Sequence, residues 1–458
     1  MKYRVDADKL DTVRDGLLDE TCDRFLDEIC DKFLDETMEL NDLPAVAIGV
    51  SIGDSVDGFV GSSVGSAVGG AGGGSVGGAV GGADGGSVGG SGGGAGGGSI
   101  GGVEYTGLRC DEHFRFNNLT ADSIFHCASV SKLFTSTAIM KLVEAGVLNL
   151  YDRLCDLLPD MEYAGEIRLW NLLTHTSGLG DCDDYQWYNA RCDEDALRDY
   201  VYKSADAVGQ PMLWNPQTAP EFYGPVTDAH GNPAGYFRYS NVAYEILGQI
   251  VAEYSHRLYG ESLSYEDFVR IYLLEPAGMS SSTMKTFERC DFNDGDARAA
   301  ADMAAPFEKA PDKSIVPVEF YPYNRMHGPS STLTSNVSDL LKWGRAHLKS
   351  ASGEDEVVLH RETYDTVWRD YATVPNNGEK MGIGWFMRKQ TAGAGGTSGR
   401  PREFTLYGHE GSDDGFRASF WICPELDMVT VVLSNLSQAP VKKINKKLFT
   451  KITEILPL

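Results

Sequence analysis

Ser129-Val130-Ser131-Lys132 opens a helical pattern that runs to Glu144, so Ser129 and Lys132 stand three residues apart on one face. A serine hydroxyl is a weak nucleophile until a neighbouring base takes its proton, and a lysine whose charge is disfavoured by burial can do so. The spacing alone carries little weight: 34 serines and 18 lysines in 458 residues produce such a pair by chance, and a second one stands at Ser282 and Lys285. Two further triplets supply the context. Tyr239-Ser240-Asn241 precedes a helical run and offers a phenol for proton transfer and a carboxamide to hold a substrate carbonyl. His409-Glu410-Gly411 leads into a strand, and Gly411 there lets a substrate backbone lie along a sheet edge.

Taken in order, SVSK (129–132), YSN (239–241) and HEG (409–411) resemble the three active-site motifs of the serine β-lactamase and penicillin-binding-protein superfamily, closest to its class C-like branch of hydrolases and peptidases. LPAVAIGV (43–50), LWNLLTHTSGL (169–179), LLEPAGMSSSTM (273–284), GPSSTLTSNVSDLLKWG (328–344) and GIGWF (382–386) agree, as does the whole stretch 123–159 around Ser129. The resemblance implies an acyl-enzyme at Ser129, with Lys132 and Tyr239 moving protons and Asn241 orienting the substrate. It implies an oxyanion hole from the backbone N–H groups of Ser129 and Ser412, and substrate contacts from His409, Gly411 and Ser412. Ser282 falls in a structural landmark of the family, which leaves Ser129 as the nucleophile.

His409 stands where many relatives of this kind carry lysine. A lysine offers a permanent cation to a substrate carboxylate, whereas a histidine is charged only part of the time near neutral pH. The reading is therefore an amidase, peptidase or esterase on small-molecule or peptide substrates; a true β-lactamase and a non-catalytic binding or scaffold protein are the alternatives. No cofactor and no metal are called for, since neither a His-Glu-x-x-His motif nor a Cys/His cluster occurs. Glu410 reads as a strand residue, His175 as a turn histidine, Cys127 as a small buried apolar side chain and Asp413-Asp414 as a solvated loop.

The elements that must position these groups follow from composition and periodicity. Residues 43–52 and 103–110 read as strands, as do 416–422 and 428–433, while 441–455 reads as a helix with lysines on its polar face. Helical patterns dominate from about 124 to 320. The expected fold is thus α/β (α+β), β-lactamase/transpeptidase-like: an antiparallel sheet flanked by helices, with an inserted all-helical lobe. Residues 1–125 and 321–458 form the α/β lobe and 126–320 the helical one. Leu18, Phe25, Ile29, Phe33 and Leu40 recur at near-helical spacing and predict an N-terminal helix packed on the sheet.

Glycine is very uneven, with 25 of the 53 glycines between Gly53 and Gly102. They cluster as GG and GGG without the G-x-G-x-x-G order of a phosphate loop, so the tract reads as a flexible excursion that widens a hairpin. A net charge of −26 repels a phosphate backbone and argues against nucleic acid as a partner. The first residues lack the apolar core of a signal peptide and no run approaches 18 apolar residues, which predicts a cytoplasmic protein without membrane contact. Nine scattered cysteines without a Cys-x-x-Cys pair fit a reducing compartment.

Overall fold

A computed structural model describes residues 20–41, 43–53, 103–111, 119–161, 167–179, 191–207, 226–227, 233–234, 237–288, 303–375, 377–392 and 401–455. The glycine tract and its expected flexibility lie outside the described residues. Its two flanks do not. Strand β1 (Ala45–Ile52) pairs antiparallel with β2 (Val103–Cys110) from Ala45 opposite Cys110 to Ile52 opposite Val103, so the tract joins two partners of one hairpin.

Six further strands complete the sheet: β3 (Ala372–Thr373), β4 (Lys380–Met381), β5 (Phe386–Ala392), β6 (Arg402–Asp413), β7 (Phe416–Cys423) and β8 (Met428–Ser434). The order is β2-β1-β8-β7-β6-β5-β4-β3, and every neighbouring pair is antiparallel. The N-terminal hairpin therefore joins strands contributed by the last ninety residues or so of the chain, through β1 against β8. Long-range pairing of this kind is what an insertion between two parts of one sheet requires.

Side chains alternate across the sheet and are buried on both faces. Val429, Val431 and Leu433 of β8 face the helix Val337–Ser352 and, beyond it, those of the expected insertion, whereas Met428 and Val432 face the two terminal helices. The same alternation puts Tyr407 on the first face and Phe404 and Leu406 on the second. His409 and Gly411 thus share the insertion-facing side with Tyr407, and Glu410 points the other way.

Helix α1 (Glu20–Asn41) covers the second face with Leu26, Cys30, Phe33, Leu34 and Thr37. Of the expected stripe, Phe33 is buried and Ile29 packs partly covered against the same core, while Leu18 and the side chains of Phe25 and Leu40 lie outside the described residues. On its polar side Asp31 accepts from Tyr105 Oη at 2.8 Å and from Arg109 Nη2 at 2.9 Å, fixing α1 on β2. Helix α5 (Val441–Ile455) lies beside it, with Ile444, Leu448, Phe449 and Ile452 buried and the lysines at 442, 443, 446, 447 and 451 along its other side.

On the insertion-facing side, helix α4 (Val337–Ser352) packs closely enough that a Cβ on Gly344 would stand 2.5 Å from Val429 Cγ1, which only glycine permits. Helices α2 (Ser131–Glu144) and α3 (Asn241–Tyr254) lie further out and pack on each other. Most of α2 is buried, polar residues included. A helix hydrophobic on no single face, buried all round, is the sign of a central element, and α2 is the one that begins two residues after Ser129. No helix among the described residues is long and apolar enough to cross a membrane.

Candidate active site

The backbone turns sharply just before Ser129. Ala128 has φ +46°, a left-handed conformation that costs a non-glycine residue about 1–3 kcal/mol and persists only where its surroundings enforce it. The enforcing bonds come from Ser131 and Leu333. Ser131 Oγ donates to Ala128 O at 2.7 Å and accepts from Leu333 N at 2.8 Å, while Cys127 N donates to Leu333 O at 2.8 Å. The kink sets Ser129 half exposed on a short 3-10 turn (Ala128–Val130) that runs straight into α2. Cys127 is fully buried, and burial pushes its thiol up, so it stays a neutral, apolar neighbour.

Lys132 is fully buried and its Nζ donates to three oxygens: Ser129 Oγ at 3.0 Å, Asn241 Oδ1 at 2.6 Å and the Ser330 carbonyl at 2.9 Å. An amide oxygen and a backbone carbonyl can only accept. Of the three partners, only the Ser129 hydroxyl can also give a proton. A Lys132 that has lost one proton keeps two N–H bonds on Asn241 and Ser330 and aims its lone pair at Ser129 O–H, which is the geometry of a general base.

Tyr239, Ser240 and Asn241 reach the same point because Ser240 is the N-cap of α3. Its side chain accepts from Ala243 N at 3.1 Å, which leaves Tyr239 just before the helix and Asn241 at its first turn. The Tyr239 ring centroid is 5.0 Å from Lys132 Nζ and 6.2 Å from that of His409. His175 secures this segment from behind. It stacks on Tyr239 with ring centroids 4.3 Å apart, its Nδ1 accepts from Ser240 N at 3.1 Å, and its carbonyl accepts from Arg238 N at 2.7 Å. Burial, then the Lys132 charge and His409, hold His175 well below the usual histidine range, so it is neutral. His175 is a turn residue, at φ +56°, and also the support of the Tyr239 ring.

The end of β6 closes the site. β5 begins with Phe386 opposite Gly408, so His409–Asp413 pair with β7 on one side and extend past β5 on the other. Gly411 has a tighter requirement than the sheet edge supplies: a Cβ there would lie 2.2 Å from the Cys127 carbonyl oxygen. Only glycine lets β6 approach the turn that carries Ser129, and Ser412 follows it on the exposed end of the strand.

His409 is 2% exposed, with its ring edge-on to Phe386 at 4.9 Å. A carbonyl only accepts, so the 2.6 Å contact of Nδ1 with Glu410 O places the proton on Nδ1 and leaves Nε2 as an acceptor without a protein partner. Burial, reinforced by the Lys132 charge, pushes its pKa down to about 3. The expected partial charge at neutral pH is therefore absent, and His409 presents a lone pair rather than a cation.

Glu410 lies on the opposite face, where its Oε1 accepts from Trp421 Nε1 at 2.9 Å and faces Arg388 Nη1 at 3.4 Å. Asp413 departs from the solvated loop expected of it: its Oδ2 is 3.1 Å from Nε2 of the buried His126. The rival pair is held apart from this chemistry. Ser282 Oγ donates to Asp339 Oδ2 at 2.9 Å, and Lys285 Nζ lies 3.0 Å from both oxygens of Asp267. Ser131, Ser330 and His126 went unread in the sequence, because one is a brace, one acts through its carbonyl and one finds its partner 287 residues away.

The Beta-lactamase family model matches residues 64–450. "Penicillin-binding protein 4" of Amycolatopsis lactamdurans is 27% identical over 323 residues, 69% of this chain and 73% of that relative. Among solved structures, the octameric penicillin-binding protein homologue from Pyrococcus abyssi superposes with a TM-score of 0.62 at 21% identity, over 93% of this chain and 77% of that one. The D-amino acid amidase from Ochrobactrum anthropi SV3 gives 0.61 at 16% identity, over 93% and 98%. At these identities the two structures speak for a common fold.

Proposed function

The chain belongs to the beta-lactamase family, and on that premise we propose that it is a cytoplasmic serine hydrolase that forms an acyl-enzyme at Ser129 on amide or ester substrates. One observation carries the reading: Lys132 Nζ stands 3.0 Å from Ser129 Oγ, an oxygen with a proton to give, while its bonds to Asn241 Oδ1 and the Ser330 carbonyl run to oxygens that can only accept.

In the proposed reaction a neutral Lys132 accepts the Ser129 proton as Oγ attacks the substrate carbonyl carbon. The carbonyl π electrons move to oxygen, and the backbone N–H groups of Ser129 and Ser412 hold the resulting oxyanion. Collapse of the tetrahedral intermediate breaks the bond to the leaving amine or alcohol. Tyr239 passes that group the proton now on Lys132, and Asn241 orients the substrate. Water repeats the sequence on the acyl-enzyme and releases the acid.

His409 narrows the substrate. A neutral imidazole offers a substrate carboxylate no cation, so peptide-like amides, including those of D-residues, fit better than penicillins. The amidase whose fold this chain shares supports that class.

Intact-mass spectrometry after incubation with a fluorophosphonate, and separately with a penicillin, tests the proposal on wild type and Ser129→Ala. The expected result is a fluorophosphonate adduct on wild type alone and little penicillin adduct. Rapid turnover of a chromogenic cephalosporin reassigns the protein as a β-lactamase, and folded protein without any adduct makes it a binding or scaffold protein.

A further inference from the structure

Behind Lys132 lies a buried acid and base that the reaction above leaves unused. Glu245 is fully buried on α3, four residues after Asn241 and therefore on the same helical face. Its Oε1 is 3.5 Å from Nδ1 of His327, which is itself 1% exposed. Neither carboxylate oxygen receives a close, well-aligned hydrogen bond. Three residues beyond His327, the Ser330 carbonyl accepts from Lys132 Nζ, so the same short segment touches both Glu245 and the base.

Placing a carboxyl here costs several kcal/mol of desolvation that an apolar side chain of similar size avoids. Stability therefore does not account for it. Burial raises the Glu245 pKa, and His327, Ser330 and Lys132 oppose that rise. Other titratable or charged groups near the pair among the described residues are Tyr265, Tyr200 and the buried ion pair of Arg325, two residues before His327, with Glu266, next to Tyr265. Tyr265 bonds Thr135 Oγ1 at 2.7 Å and is pushed up by burial, which keeps it neutral, and Tyr200 lies edge-on to His327 at 5.0 Å.

We infer that Glu245, packed against His327, is a positioning residue for Lys132: its carboxylate stabilises the ammonium that forms when Lys132 takes the Ser129 proton. The inference rests on the proposed role of Ser129 and Lys132. No atom of Glu245 reaches the substrate in this scheme. It acts as a buried carboxylate acts on any base that becomes cationic in a transition state, by making the base stronger while holding it protonated to higher pH.

That trade gives a signature no purely structural role produces. The rate of fluorophosphonate labelling at Ser129 is followed from pH 5 to 10 in wild type, Ser129→Ala, Glu245→Gln and His327→Gln. With the carboxylate removed, Glu245→Gln is expected to shift the acid limb down by about one pH unit and to lower the plateau several-fold. His327→Gln replaces the side chain 3.5 Å from the carboxyl and is expected to move the limb as well. Wild type that never labels removes the hydrolase reading and this inference with it. Normal labelling with an unmoved limb in Glu245→Gln overturns the inference alone, and should that variant fail to fold, an unmoved limb in His327→Gln does the same.

Discussion

His126 Nε2 stands 3.1 Å from Asp413 Oδ2, and this contact ties the segment that enters Ser129 to the end of the strand that carries Ser412. The two backbone N–H groups proposed for the oxyanion hole belong to parts of the chain almost three hundred residues apart, so their spacing depends on such cross-links. His126 also packs against Tyr321 and Phe416, with ring centroids at 6.0 and 5.7 Å, which leaves it no route to solvent.

Asp413→Ala strips the buried His126 of this partner. The expected cost is ~1–3 kcal/mol of stability, together with slower fluorophosphonate labelling of Ser129, since misplaced donors stabilise an oxyanion poorly. Urea unfolding and labelling rate measure the two effects. A variant as stable and as reactive as wild type shows that the contact is incidental.

Ser131 is predicted to matter almost as much as Ser129, and for a different reason. Its fully buried hydroxyl bonds the Ala128 carbonyl and the Leu333 amide together. Ser131→Ala strips the Leu333 amide of this partner and leaves the Ala128 carbonyl only the Ser131 backbone N–H, at a cost of ~1–3 kcal/mol, and loosens the hold on the left-handed Ala128. Denaturant titration reads the first effect and loss of labelling at Ser129 the second. Cysteine at the same position, a weaker partner of similar size, should fall between alanine and serine.

Strands β1, β2, β7 and β8 and the helices α2, α3 and α5 were legible because they rest on local signals, β-rich apolar runs for the strands and helical spacing of apolar residues for the helices, whereas β3 to β6 were not delimited. The triplets were legible because Lys132, Tyr239 and Asn241 act through their own side chains. Ala128 gave no sign, since alanine has no preference for φ +46° that a reader could use. Ser330 was equally silent, because the atom that touches Lys132 is a backbone carbonyl. The charge of His409 could not be read either: it follows from burial under Phe386 and from the nearby ammonium, both set by tertiary packing.

Buried histidines make the stability of this protein depend on acidity in a separable way. Burial, and then Lys141, push His347 down to about 3, and its Nδ1 is 2.8 Å from Tyr364 Oη. The unfolded chain protonates this residue near pH 6.5 and the folded chain does not, so the unfolded state binds more protons between about pH 6.5 and 3. Stability linked to His347 is present above that window and is lost as pH falls through it, by ~1.4 kcal/mol per pH unit. His347→Gln, whatever its cost at pH 7, should flatten the slope of unfolding free energy against pH by that amount between pH 6 and 4. Parallel slopes in the two proteins contradict the assignment.

Gly411 gives the sharpest test of how β6 meets the Ser129 turn. A methyl group there would lie 2.2 Å from the Cys127 carbonyl oxygen and 3.0 Å from Ala418 Cβ, and neither neighbour is the free end of a flexible side chain. The clash can be relieved only by moving β6 away from residues 127–129. Because β6 is held by β7 alone beyond Gly408, where its pairing with β5 ends, the movement concentrates in that singly paired end, where Ser412 lies. Gly411→Ala is therefore expected to cost ~1–3 kcal/mol in stability and, through the displaced N–H of Ser412, to slow acylation by about 100-fold or more. The second loss should exceed what the first explains. A variant that is destabilised yet acylates at the wild-type rate while folded locates the oxyanion donors elsewhere, because a shift of that strand cannot leave a donor on it in place.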